Sequence, residues 1–146
     1  MLTTDKTILF HQENVHIRLR NITILRTWLN KLAKSKGYSI HYLNYIFCDD
    51  AYLLSINKQY LNHDDYTDII TFDQRDNNKV KEIEGDIFIS IDRVRENGEK
   101  FGTQATELKR VMVHGLLHLL GYKDKTKTDK ALMTEKENTY LKFIHT

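Results

Sequence analysis

Residues 113–124 read VHGLLHLLGYKD, and they combine the spacing of a metal-binding helix with the signal that ends it. His114 and His118 are four residues apart, so on a helix both imidazoles lie on one face. Gly121 predicts the end of the helix, and a turn there would bring Asp124 back toward the histidines. Two imidazole nitrogens and one carboxylate form a candidate three-ligand metal site. Such a site leaves a fourth position for water, which is the arrangement of a catalytic site.

The apolar residues around these histidines predict that the helix is buried. At 100° per residue, Glu107, Arg110, His114 and His118 form one narrow stripe, while leucine and methionine occupy most of the remaining surface. Buried polar groups need partners, so the stripe faces a cavity, a protein partner or a bound ion. Histidines bonded to backbone or carboxylate groups are the alternative. The buried context, the glycine turn and the following carboxylate favour the metal.

The rest of the pattern predicts one α+β domain over residues 1–146. Predicted strands cover 8–12, 39–48, 67–72 and 85–91. Predicted helices cover 19–36, 49 or 50 to 61, 92–101 with Asp92 as the cap, 103 or 106 to 121, and 128–143. The order βαβαββααα indicates a mixed sheet of about four strands with about five helices packed on it. The predicted helix that contains His114 and His118, called the motif helix below, has the two-histidine layout of a zincin helix.

Composition narrows the class of protein. A hydrophobic content of 40% and a charged content of 29% are ordinary for a globular domain. No apolar run approaches the roughly 20 residues that span a membrane, and residues 1–6 lack the apolar core of a signal peptide. Cys48 is the single cysteine, so no intramolecular disulfide can form. We therefore expect a cytoplasmic protein with neither a membrane nor a disulfide-linked partner.

The pattern His-Gly-x-Leu-His-Leu-x-Gly-Tyr resembles the signature of the YbeY family of zinc-dependent endoribonucleases. Blocks within 57–72 and at 85–90 are similar to further blocks of that family. The resemblance implies a single-strand-specific metallo-endoribonuclease in 16S rRNA 3′-end maturation and ribosome quality control. Its partners would be ribosomal RNA and the small ribosomal subunit. It also implies a metal that activates water and polarises the scissile phosphate.

Three positions depart from the family's pattern. Asp124 stands where the family usually has a third histidine ligand, Leu61 where it has an arginine implicated in cleavage, and Tyr66 where it has proline. Aspartate binds zinc at about 2.0–2.2 Å, much as histidine does, but its charge makes a bound water less acidic. Zinc is the expected metal, one per chain, and Fe²⁺, Mn²⁺ or Ni²⁺ are alternatives for this ligand set. Asp124 could instead be a solvated loop or capping residue, with His63, Asp64 or a second water completing the shell.

Further residues are candidates for supporting roles. Asp68 and Asp86 belong to the shared blocks and could orient a ligating histidine, or could be ordinary strand-end or turn residues. Residues 15–36 contain no acidic residue, and their candidate RNA contacts are Arg18, Arg26, Lys31 and Lys34. A solvated helix face is the alternative. The arginine missing at Leu61 could be replaced by Lys58, His63 or Arg75.

Gly115 argues against a metallopeptidase, because zincin proteases carry a glutamate general base directly after the first histidine. This glycine either leaves room beside the metal or lets another element pack closely. The sequence identifies no catalytic residue beyond the metal ligands. Two other functions stay open: a metallohydrolase of another substrate class, and a non-catalytic ribosome assembly factor with a structural metal.

Overall fold

The motif helix lies across one face of a four-stranded sheet in the computed structural model, which describes residues 7–144. The strands are β1 (Ile8–Glu13), β2 (Ser39–Cys48), β3 (Ile69–Asp73) and β4 (Glu82–Ser90). The helices are α1 (Ile22–Ser35), α2 (Asp50–Leu61), α3 (Ile91–Phe101), α4 (Glu107–Leu119) and α5 (Lys127–Leu141). Within the described residues, the predicted α+β class and the order βαβαββααα are confirmed.

The sheet is mixed and has β3 at one edge. Its strand order is β1-β2-β4-β3, in which β1, β2 and β4 run parallel and β3 runs antiparallel to β4. Two backbone hydrogen bonds extend the β3–β4 ladder, from Ser90 N–H to Asp68 O at 2.9 Å and from Gln74 N–H to Glu84 O at 2.8 Å. The residue pairs between them that exchange no ladder bonds include Thr71 with Ile87. The backbone groups of Thr71 therefore point away from the sheet, along its free edge.

Strand alternation decides which residues α4 covers. On β4, Ile83, Ile87 and Ile89 are fully buried beneath the helices, while the residues between them point to the other face. The Tyr45 hydroxyl donates to the Met112 carbonyl at 2.8 Å and fastens α4 to β2. A Cβ at Gly115 would lie 2.9 Å from two Ile87 carbons. Glycine at this position thus lets α4 approach the sheet closely, as one of its two interpretations predicted.

Several element bounds differ from those predicted. Helix α1 begins at Ile22 rather than at residue 19, because the preceding Asn21 adopts a left-handed backbone conformation with φ 55°. Strand β4 begins at Glu82, where it already pairs with Ser39 of β2. The cap of α3 is Ser90, whose hydroxyl accepts from the Arg93 N–H at 3.3 Å.

The predicted cap Asp92 lies inside α3, and its carboxylate instead accepts from the Asp50 N–H at 2.8 Å. The bond joins the first turns of α2 and α3. Helix α4 has Thr106 at its N-cap and ends at Leu119, two residues before Gly121 with its positive φ of 100°. No helix among the described residues combines the length and apolar character needed to cross a lipid bilayer.

Candidate metal centre

His114, His118 and Asp124 converge on one point at the C-terminal end of α4. One ligand atom from each lies within 4.8 Å of the other two. The Nε2 atoms of the two histidines are 3.1 Å apart, and His114 Nε2 is 3.7 Å from an Asp124 carboxylate oxygen. The helix supplies both imidazoles from one face, and the turn at Gly121 returns the chain so that Asp124 completes the cluster. The structure thus brings together the three ligands predicted from the sequence.

The donor set fits a divalent metal ion. Two ligand atoms bound at about 2.0–2.1 Å to a tetrahedral zinc are about 3.3–3.4 Å apart, and the two measured separations lie on either side of that value. All three residues are of intermediate exposure, so the cluster is neither sealed in the core nor fully hydrated. An open coordination position facing solvent is typical of catalytic sites.

Glu137 on α5 forms a hydrogen bond with Nδ1 of His114, the ring nitrogen that faces away from the other two ligands. Its carboxylate oxygen lies 2.7 Å from His114 Nδ1, and because a carboxylate only accepts, the Nδ1–H is the donor. This bond directs Nε2 of His114 toward the other two ligands. Glu137 is only 6% exposed, and its second oxygen accepts from Arg110 at 2.9 Å. Arg110 also donates to Asn138 at 2.7 Å.

Glu137 is a functional residue that the sequence did not predict. It lies 23 residues beyond His114 on a helix whose only buried residues are Met133 and Glu137. Polar residues surround it in the sequence, and no short-range pattern marks it. A buried carboxylate that orients a ligating imidazole is a common support of metal sites.

The surroundings of the two histidines move their pKa values in opposite directions. Burial opposes protonation of His114, but the hydrogen bond and charge of Glu137, with the charges of Asp124 and Asp68, raise its pKa above the usual value. Burial and then the neighbouring His114 lower the pKa of His118. The Nε2 atoms of both histidines are directed at the same point, and a metal bound there would require both of these nitrogens to be unprotonated.

Of the two aspartates predicted to support the site, Asp68 lies near the metal cluster and Asp86 does not. Asp68 lines a cavity of about 310 Å³ together with His114, Asp124 and Glu137, and its charge acts on His114. Asp86 lies on the face of β4 opposite to α4, and its carboxylate accepts from Asn44 at 2.9 Å and Gln74 at 3.1 Å. The prediction that Asp86 orients a ligating histidine is therefore corrected.

A larger cavity of about 640 Å³ opens beside His118. It runs between the α2–β3 loop and the free edge of β3, and its walls include Leu61, His63, Tyr66 and Thr71. Leu61 is 43% exposed, so it forms an apolar wall here rather than part of the core. The cavity gives an extended ligand access to the metal cluster from the edge of the sheet.

Only one of three predicted substitutes for the missing arginine enters this cavity. Arg75 is held by Asp73 and donates to the Leu119 carbonyl at 2.6 Å, and its side chain is 3% exposed. Lys58 forms an exposed ion pair with Asp64 at 3.2 Å. His63 lines the cavity together with His118.

The predicted RNA contacts lie apart from the metal cluster. Arg26 donates to the Ile8 carbonyl at 2.8 Å and stacks on Phe10, so it ties α1 to β1. Lys31 lines a groove between α1 and α5, and Lys34 is exposed. Arg18 lines a cavity of about 410 Å³ with Arg20 and Lys109, near the first turns of α4. At 1.5 Å per residue, Lys109 is about 14 Å along α4 from His118.

Comparison with known proteins agrees with the resemblance seen in the motifs. Residues 7–145 match the family described as Endoribonuclease YbeY. An Endoribonuclease YbeY from Cytophaga hutchinsonii is 55% identical over 94% of this chain and 95% of its own length. Another from Flavobacterium psychrophilum is 49% identical over 90% of this chain and 92% of its own length.

A solved structure supports the fold. The solution structure of a Thermotoga maritima protein is 25% identical, with a TM-score of 0.63 over 92% of this chain and 87% of that one. The converging ligands, the motif helix and the matched residues 7–145 lead to one assignment. This chain belongs to the endoribonuclease YbeY family.

Proposed function

We propose that this chain is a metal-dependent endoribonuclease that hydrolyses single-stranded RNA, acting in 16S rRNA 3′-end maturation and ribosome quality control. The observation that carries the proposal is the cluster of His114, His118 and Asp124 beside an open cavity of about 640 Å³. The family assignment supports the nuclease activity. Ribosomal RNA on the small subunit is the proposed substrate, and the cytoplasm is the proposed compartment.

The three ligands would hold one metal ion, zinc in our proposal. When bound, the ion supplies Lewis acidity toward a phosphodiester oxygen and lowers the pKa of water. Glu137 orients His114 by accepting its Nδ1–H at 2.7 Å. Asp124 contributes an anion where a third imidazole would be neutral, which moderates that acidity and admits Fe²⁺, Mn²⁺ or Ni²⁺ as alternatives.

Residues of the larger cavity position the RNA. The free edge of β3 presents the Thr71 backbone, whose N–H can donate to a phosphate oxygen. His63 lies in the α2–β3 loop on the opposite side of the same cavity, where its imidazole can hydrogen-bond to the phosphate. Leu61 contributes only an apolar surface at the position of the usual arginine.

A basic surface formed by Arg18, Arg20 and Lys109 would bind the RNA backbone at a distance from the cleaved bond. Its Lys109 lies about 14 Å along α4 from His118, so the surface would contact a part of the strand away from the cleaved phosphate. Lysine and arginine in such positions add affinity without reading sequence.

The test is cleavage of one RNA sequence in single-stranded and duplex form, with matched preparations of the wild-type chain and His114→Ala. We expect the wild type to cut the single strand and His114→Ala to lose that activity, because the variant lacks one of three ligands. Equal cutting by both proteins would show that the cleavage arises elsewhere. Cleavage of the duplex but not of the single strand would refute single-stranded RNA as the substrate.

A second function has one observation in its favour. Leu61 removes the cationic group that the family usually places near the cleaved phosphate, and Arg75 is committed to Asp73 and the end of α4. A ribosome assembly factor with a structural metal would bind the RNA and cut nothing. If this second function is correct, the wild-type chain and His114→Ala would both bind single-stranded RNA, and neither would produce cleavage products.

A further inference from the structure

Tyr66 is an exposed aromatic residue at the entrance to the metal cluster. It precedes β3 in the α2–β3 loop and lines the cavity of about 640 Å³ that contains His118. The residue is 57% exposed. Two positions later, Asp68 lines the smaller cavity with His114. A ligand that reached the metal cluster through the larger cavity would pass this ring.

Arg93 backs the ring of Tyr66. The guanidinium carbon lies 5.2 Å from the ring centroid, within the range of a cation–π contact. The Arg93 Nε is in turn 3.2 Å and 3.3 Å from the two carboxylate oxygens of Asp50. Asp50 also accepts from the Ser90 hydroxyl at 2.6 Å. The contacts connect the ring to the first turns of α2 and α3, so its orientation is set by the fold.

The chemistry of this arrangement suits a nucleobase. The guanidinium occupies one side of the ring, and more than half of the residue is still open to solvent. A flat aromatic surface in that position binds another flat ring, and stacking of an unpaired base on an aromatic side chain contributes about 1–3 kcal/mol. Bases within a duplex are already stacked on each other. The platform therefore favours a single strand.

We propose that Tyr66, supported by Arg93, is the platform on which an unpaired base of the RNA substrate stacks beside the metal cluster. The inference rests on the proposed function, for which it supplies a structural reason for the single-strand preference. Tyr66 acts here by binding the substrate, and it takes no part in bond cleavage.

The experiment uses the full chain and a short single-stranded RNA that carries 2-aminopurine, a base whose fluorescence falls when it stacks. Binding is recorded by stopped flow immediately after mixing, before cleavage products accumulate. The variants are Tyr66→Ala, Tyr66→Phe and, as the matched control, Tyr60→Ala. Tyr60 is 61% exposed and packs edge-on against Phe72.

We expect Tyr66→Ala to weaken binding about 5- to 150-fold, the equivalent of the stacking energy, and to abolish the fall in fluorescence. Tyr66→Phe keeps the ring and should bind within about twofold of the wild type, because stacking needs no hydroxyl. Tyr60→Ala should bind as the wild type does. Thermal melting of each variant checks that the fold is retained.

Two results would overturn the inference. If Tyr66→Ala keeps both the affinity and the fluorescence change while the wild type binds and cuts single-stranded RNA, the platform is refuted and the proposed function stands. An equal loss in Tyr60→Ala would likewise show that the effect is not specific to the cavity. If the wild type neither binds nor cuts single-stranded RNA, the proposed function fails and this inference fails with it.

Discussion

Replacement of Glu137 by alanine should weaken metal binding although Glu137 is not a ligand. The substitution removes a charge-assisted hydrogen bond of 2.7 Å to His114 Nδ1, so nothing fixes the imidazole with Nε2 toward the other ligands. Loss of such a supporting carboxylate costs about 10- to 100-fold in metal affinity, or roughly 1.4–2.7 kcal/mol. Glu137→Gln keeps an acceptor but no charge, and its loss should be smaller.

The same substitution should destabilise the metal-free protein. Glu137 is 6% exposed and accepts from Arg110 at 2.9 Å. Arg110 would keep its bond to Asn138 but lose its charged partner in a partly buried position, at a cost of about 1–3 kcal/mol. The pKa of His114 should also fall, because Glu137 supplies the largest of the interactions that oppose the effect of burial, and only the charges of Asp124 and Asp68 then remain.

Competition with a chromophoric chelator measures the zinc affinity, and urea unfolding of the metal-free chain measures the stability. Glu135→Ala is the matched control, because Glu135 lies on the same helix and is exposed. A folded Glu137→Ala variant whose zinc affinity stays within about threefold of the wild type would refute the reasoning. So would an equal loss of affinity in Glu135→Ala.

Three further variants test other parts of the account. Asp124→His makes the ligand set neutral, so the preference for zinc over manganese should rise. The acidic limb of the pH–activity profile should also move to lower pH, because the bound water would be more acidic. An unmoved profile would contradict the role assigned to the charge of Asp124. Asp73→Asn should destabilise the chain at neutral pH in urea unfolding, because hydrogen bonds from Arg75 lower the pKa of Asp73. That stabilisation is complete above the unfolded pKa of about 3.9 and is lost as the pH falls through the lower pKa of the folded state. The unfolding free energies of the variant and the wild type should therefore converge in acid. A difference that stays constant with pH would contradict the stabilising role of ionised Asp73. Arg18→Ala should weaken RNA binding and reduce the slope of log affinity against log salt by about 0.7, and an unchanged slope would remove Arg18 from the RNA surface.

The sequence was most informative where the contacts are local. The spacing of His114 and His118 places them on one helix face, and the glycine turn that follows predicts the return of Asp124. The order of elements follows from periodicity and turn residues in the same way. The predicted start of α1 was wrong by three residues. Its boundary depends on the left-handed backbone conformation of Asn21, which nothing in the neighbouring sequence requires.

The sequence was least informative where distant elements meet. Ile87 and Phe88 are both apolar, so the pattern of β4 does not reveal which of its faces α4 covers, and the sequence could not show that Asp86 lies on the face away from His114 and His118. Glu137 reaches His114 only because α5 folds back on α4. The pairing of Tyr66 with Arg93 likewise joins the α2–β3 loop to α3. Each of these contacts is set by tertiary packing.

Metal-dependent recovery of RNA cleavage tests the central claim most directly. The wild-type chain and His118→Ala are treated with a chelator, dialysed, and assayed on one single-stranded RNA before and after addition of one equivalent of zinc. The account predicts that chelation abolishes cleavage by the wild type, that zinc restores it, and that His118→Ala stays inactive throughout. Cleavage that survives chelation, or that zinc restores equally in His118→Ala, would contradict a catalytic metal held by His114, His118 and Asp124.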